Sequence, residues 1–218
     1  MTSDQRIWDA YNDFHFLCDT ARMQKLFARH KLFQETADLP GHIIDAGVFK
    51  GTSLILFAHM LKTYTPQARK MVIGFDTFEA EFQAATDFEK ANAKKFMSHH
   101  QSDIETTVRS AIATQQLDAY CKLVKGDICE TLPAYVAANR GMRISLLHLD
   151  LDIYKPTLEV LRNCFDLVVP GGLVVLDQYG VEGWGEAEAV SEFFKERQIR
   201  PRLTLVEHTV TPTAVIRL

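Results

Sequence analysis

The sequence predicts an α/β fold: one mostly parallel sheet of seven strands with helices on both faces, an antiparallel hairpin at the C-terminal end and a helical extension at the N-terminal end. Three observations carry this prediction. Short apolar runs end repeatedly in an acid, at Asp45, Asp76, Asp127, Asp150 and Asp177. Such runs read as buried parallel strands that deliver polar groups to the carboxyl edge of a sheet, where open α/β folds place their ligands. Helical stretches alternate with these strands, which implies right-handed crossovers. The last two β-rich segments, 202–208 and 213–218, are joined by too few residues for a crossover helix, so they pair as a hairpin.

The chain has 218 residues, 47% of them hydrophobic and 24% charged, enough for one well-filled domain and too few for two ordinary ones. Residues 1–40 are expected as a helical extension and 41–218 as a single domain. The net charge of -4, with basic residues scattered, makes no field that gathers nucleic acid or anionic lipid. No apolar run approaches the roughly 20 residues of a membrane span, and the first residues lack the order of a signal peptide, so a cytoplasmic protein with no membrane partner is expected. The four cysteines show no C-x-x-C spacing and sit in apolar contexts, which favours reduced core packing.

Residues 6–34 carry apolar positions at helical spacing, including Trp8, Tyr11, Phe14, Leu26, Phe27 and Phe33. So many aromatics suit packing over the mouth of a sheet or against a second copy of the chain, and an ordinary core-facing helix pair serves equally well. After Pro40-Gly41 comes a strand ending in Asp45, then Gly47, Gly51, Thr52 and Ser53 opening an apolar helix. A glycine turn lets backbone approach a ligand closely, and the free N-H groups of a helix start favour an anion. The G-x-x-x-G spacing differs from the dinucleotide G-x-G-x-x-G and lacks the G-K-[ST] of a phosphate loop.

The second strand ends in Asp76-Thr77, at the distance from the glycine turn that suits hydrogen bonds from ribose hydroxyls. Residues 79–116 read as a charged, helical surface excursion, and the adjacent His99 and His100 point to different helix faces, against a joint metal site. A third strand closes on Gly126-Asp127, followed by a helix over 130–139. The fourth and fifth strands carry the densest chemistry, Leu146-Leu-His-Leu-Asp150-Leu-Asp152 and Gly172-Leu-Val-Val-Leu-Asp177-Gln178. They are joined by a helix over 157–167 and a turn at Pro170-Gly171-Gly172. Their neighbouring ends converge on one oxygen-rich site, and a helix over 186–197 follows.

The chain resembles the class I S-adenosylmethionine-dependent methyltransferases and, more closely, the macrocin O-methyltransferase family. The stretches that carry the resemblance are Asp45-Ala-Gly-Val-Phe-Lys-Gly-Thr-Ser, Ile73-Gly-Phe-Asp-Thr-Phe, Leu147-His-Leu-Asp-Leu-Asp-Ile-Tyr, Pro170-Gly-Gly-Leu-Val-Val-Leu-Asp-Gln-Tyr-Gly and Trp184-Gly-Glu. The resemblance implies a Rossmann-like fold and methylation of a deoxysugar hydroxyl. It puts Asp45, Gly47, Gly51, Thr52, Ser53, Asp76, Thr77, Asp127 and Asp150 at the cofactor, with Asp76 on the ribose and Asp127 on the adenine amino group. It also implies Mg2+ held by Asp150, Asp177 and Gln178, and Asp152 as the catalytic base. Relatives usually carry an acid where this chain has Gln178, which offers a carbonyl oxygen and no charge. Other readings are a phenolic or amine acceptor, and a cofactor-binding domain without chemistry, against which the three aspartates stand. The expected partners are a small-molecule substrate and a second copy of the chain through the N-terminal helices.

Overall fold

The computed structural model describes residues 3–67, 69–79, 85–97, 103–207, 209 and 213–218. Two helices come first, α1 (Ser3–Leu17) and α2 (Thr20–Thr36), the second capped where Asp19 accepts from the Arg22 N-H at 2.8 Å. Then β1 (His42–Ala46), α3 (Thr52–Tyr64) and β2 (Val72–Asp76) alternate, followed by α4 (Lys90–Met97) and α5 (Ile104–Thr114). The chain continues through β3 (Cys121–Lys125), α6 (Ile128–Ala138), β4 (Ile144–Leu149), α7 (Tyr154–Cys164) and β5 (Val168–Leu176). It ends with α8 (Glu186–Glu196), β6 (Leu203–Leu205) and β7 (Ala214–Arg217).

The sheet runs β3-β2-β1-β4-β5-β7-β6. Strands β1 to β5 are parallel, and β7 pairs antiparallel with both β5 and β6. The strand order reverses between β1 and β4, the switch point at which open sheets of this kind leave a crevice beyond their carboxyl ends. Two cores cover the faces. On one side Leu132, Leu158, Leu161, Phe193 and Phe194, from α6, α7 and α8, pack on Ile44, Phe75 and Leu147. On the other, Leu32, Phe33, Leu54, Phe57, Ile104 and Val108, from α2, α3 and α5, pack on Ile43, Val72 and Leu146.

Three expectations change. Pro170-Gly171-Gly172 is part of strand β5, where the four residues from Val169 to Gly172 stand opposite Ser145 alone, between the pairs Ile144 with Val168 and Leu146 with Leu173. A proline is tolerated there because a bulge leaves its position out of the ladder. The 79–116 segment is more than a surface excursion, since α5 buries Ile104, Val108 and Ile112 against the sheet. The expected hairpin exists with shorter strands, and its tip at 208 and 210–212, like His99 and His100, lies outside the described residues.

Candidate active site

Gly47 leaves β1 at φ +93, and a Cβ there would stand 1.9 Å from the Asp150 carbonyl oxygen, so the first loop is pressed against the end of β4 by a residue with no side chain. Gly51, at φ +85, starts α3 with no side-chain cap, leaving the first-turn N-H groups free for an anionic ligand. Thr52 is exposed beside it. Asp76 stands at the end of β2, its Oδ2 accepting from the Phe49 N-H and its Oδ1 from the Phe78 N-H, both at 2.7 Å. Each oxygen retains acceptor capacity, which fits a diol held across both. Burial pushes this carboxyl up, against the backbone N-H groups that favour its charged form. Thr77 turns the chain by accepting from the Glu79 N-H at 3.2 Å, and Asp127 caps α6 by accepting from the Cys129 N-H at 2.8 Å.

Asp45 and Ser53 stand apart from this rim. Asp45 is 0% exposed, with Ser53 Oγ donating to its Oδ2 at 2.7 Å and His148 Nδ1 facing its Oδ1 at 2.8 Å. Its carboxylate therefore holds the loop and a histidine in place, with both oxygens engaged inside the protein.

Asp150, Asp152 and Asp177 gather at the ends of β4 and β5. Asp152 has φ +63, a left-handed conformation that aspartate tolerates better than most residues. Its carbonyl accepts from the Gly185 N-H at 3.1 Å, and its side chain is buried with Oδ1 lacking a partner. Burial, then Asp177, lift both Asp150 and Asp152 to about 7. Asp177 moves the other way: burial pushes its carboxyl up, but Lys25 and His148 more than offset this and hold it below the usual range.

The sequence reading missed four contributors. Lys25 Nζ donates to Asp177 Oδ2 at 2.6 Å, and Arg29 Nη2 donates to Asp150 Oδ2 at 3.3 Å, both from α2. Glu89, fully buried, accepts from the Tyr154 N-H at 2.5 Å and from Thr86, docking the segment before α4 onto the start of α7. Glu186 Oε1 accepts from the Gln178 N-H at 3.1 Å while its Oε2 is buried without a partner, and burial raises its carboxyl well above the usual range. Gly185 sits where these meet, since a Cβ there would lie 2.3 Å from Glu89 Oε1. The Trp184-Gly-Glu motif was the signal available for Glu186.

For a divalent cation, His148, Asp150 and Asp177 each offer a ligand atom, all within 4.8 Å of one another. The oxygen-rich donor set fits a hard ion in type, and the unpartnered Asp152 and Glu186 oxygens show an excess of acceptors nearby. Gln178 is half-buried, and its backbone N-H is the group that Glu186 engages.

Asp76 ends β2, and Asp150 and Asp177 directly follow β4 and β5, so three acids stand at the carboxyl edge of the sheet around the switch point. The chain belongs to the Macrocin-O-methyltransferase (TylF) family, whose model matches residues 9–212. It is 26% identical over 153 residues to 8-demethyl-8-(2,3-dimethoxy-alpha-L-rhamnosyl)-tetracenomycin-C 4'-O-methyltransferase of Streptomyces olivaceus, covering 68% of this chain and 57% of that protein. It is 26% identical over 157 residues to mycinamicin III 3''-O-methyltransferase of Micromonospora griseorubida, covering 68% and 59%. The chain thus matches a little over half the length of these curated relatives. Among solved structures, apo CalS11, a TDP-rhamnose 3'-O-methyltransferase of calicheamicin biosynthesis, superposes with a TM-score of 0.72 at 27% identity, covering 100% of this chain and 87% of that one.

Proposed function

We propose that this protein transfers a methyl group from S-adenosylmethionine to a hydroxyl of a deoxysugar, whether free, nucleotide-linked or attached to a larger natural product. The observation that carries the reading is Asp152, a buried carboxylate with an unpartnered oxygen, set in a left-handed turn between the acids that end β4 and β5. The sugar class follows from the relatives, whose names specify a rhamnosyl compound and TDP-rhamnose.

When bound, S-adenosylmethionine supplies a methyl group on a positively charged sulfur. Asp76 holds the ribose hydroxyls, the Gly47 to Gly51 loop and the open first turn of α3 take the methionine end, and Asp127 serves the adenine side. Asp150 contributes backbone and carboxylate where the two ends meet. A sugar hydroxyl is a poor nucleophile at neutral pH, so its O-H bond must break as the oxygen-carbon bond forms. Asp152 accepts that proton, and burial suits it to the task by raising its proton affinity toward neutrality. A divalent ion held by Asp150, Asp177 and Gln178, with His148 adjacent, would supply Lewis acidity at the hydroxyl.

No helix among the described residues is long and apolar enough to cross a membrane. The four cysteines are free, which suits a cytoplasmic setting. Helix α1 is exposed along its length, with Ile7, Trp8, Phe16 and Leu17 among its uncovered apolar residues, which supports pairing with a second copy; light scattering that finds a monomer at every concentration would contradict this. The function is tested by following labelled methyl from S-adenosylmethionine onto a panel of deoxysugar glycosides and nucleotide sugars. Transfer to simple catechols with none to any glycoside overturns the sugar assignment.

A further inference from the structure

His148, Asp150 and Asp177 make a compact set of cation ligands, and His148 is arranged as ligating histidines are. Its Nδ1 is committed to the buried Asp45, itself held by Ser53, which leaves Nε2 for another partner. A carboxylate on the far ring nitrogen is the usual second shell of a metal-bound imidazole. Yet the site already contains a cation. Lys25 Nζ lies 2.6 Å from Asp177 Oδ2, whereas Arg29 reaches Asp150 through one longer contact of 3.3 Å and has a buried Nε without a partner.

Little room is left beside these groups. The cavity lined by Lys25, Arg29, His148 and Asp177 measures about 10 Å3, room for a single water-sized occupant. A second positive charge at Asp177 would meet the ammonium at close range in a poorly solvated place, where repulsion is strong.

The helix that carries Lys25 is anchored unevenly. All of its buried residues, Ala28, Arg29, Leu32, Phe33 and Thr36, lie in its second half. Lys70 fixes that end by donating to the carbonyl oxygens of Thr36, Ala37 and Leu39 at 2.7, 3.4 and 3.1 Å. Residues 20–27 are exposed or half-buried, and the Lys25 to Asp177 contact ties them to the end of β5.

We propose that Lys25 is an internal counter-cation at a divalent-cation position formed by His148, Asp150 and Asp177, and that a divalent ion binds by displacing it, releasing the N-terminal half of α2. The inference deepens the site assigned above and rests on reading Asp150 and Asp177 as cation-facing groups. The mixed oxygen and imidazole donors suit Mn2+ as well as Mg2+.

The test is calorimetric titration of the wild type, Lys25→Met and Lys25→Arg with Mn2+, with S-adenosylhomocysteine affinity measured on the same samples. Lys25→Met should bind Mn2+ about ten- to a hundredfold more tightly, the weight of one charge-assisted hydrogen bond, while Lys25→Arg stays near wild type. Hydrogen exchange on the wild type provides the readout if the Met variant does not fold: Mn2+ should speed exchange at amides 20–27 and leave 28–36 unchanged. Equal Mn2+ affinity in Lys25→Met and wild type, no Mn2+ binding by either, or unchanged exchange at 20–27 overturns the proposal. Loss of S-adenosylhomocysteine binding by the wild type would instead refute the methyltransferase reading, whatever the Mn2+ result.

Discussion

Asp45 Oδ1 and His148 Nδ1 stand 2.8 Å apart on the two central strands, directly across from each other in register and shut off from solvent. The same carboxylate takes the Ser53 hydroxyl, so one buried acid ties β1, β4 and the start of α3 together at the switch point. Asp45→Ala leaves an imidazole nitrogen and a hydroxyl unpaired in the core and should cost roughly 2 to 6 kcal/mol, about 1 to 3 for each buried polar group left without a partner. Asp45→Asn keeps the shape and an acceptor and should cost less. Urea unfolding of the three proteins decides it, and an alanine variant within about 1 kcal/mol of wild type would rule out the tie.

Asp152→Asn should keep methyl-donor affinity and fold while lowering turnover about 100-fold, because it removes the proton acceptor at nearly constant shape. Turnover within a fewfold of wild type would move the base to another residue.

The pH dependence of stability follows from the same residue. Its carboxyl is raised from 3.8 to about 7, first by burial and then by Asp177. A raised acid binds its proton more tightly in the folded state, so its stabilising contribution is full below pH 3.8 and is lost as pH rises through about 7. Asp152→Asn cannot lose a proton, so relative to wild type it should gain stability between those two limits and hold the gain above them. Thermal melts of both apo proteins across this range test it; a constant difference between them would contradict the assigned environment.

Gly47→Ala combines a left-handed φ with a Cβ aimed at the Asp150 carbonyl oxygen. Backbone strain and overpacking of roughly 1 to 3 kcal/mol each should add, since the two causes act on one atom that has nowhere to go. A melt indistinguishable from wild type would mean the loop relaxes freely.

The parallel strands and their acidic ends were legible because a strand buried on both faces has a short, nearly unbroken apolar run, and the acids mark where it surfaces. Asp76, Asp150, Asp152 and Asp177 were found that way. Lys25 and Arg29 were not, because nothing in an amphipathic helix says which of its cations will lie beside acids 152 and 121 residues further on. Glu89 was hidden among charged neighbours, and its burial depends on Gly185 leaving room for it, a fact of tertiary packing. Pro170-Gly171-Gly172 read as a turn from local chemistry; it bulges out of the ladder with β4 but stays within the strand because the Gly171 N-H and the Gly172 carbonyl pair with Leu218.

The central claim is that this crevice binds S-adenosylmethionine through Asp76, and calorimetry of the wild type and Asp76→Ala tests it most directly. The wild type should bind both S-adenosylmethionine and S-adenosylhomocysteine, and the variant should bind each more weakly by roughly 1 to 3 kcal/mol, the loss expected for hydrogen bonds to a carboxylate. A wild type that binds neither ligand, or an Asp76→Ala variant that binds both as tightly as wild type, would contradict the account.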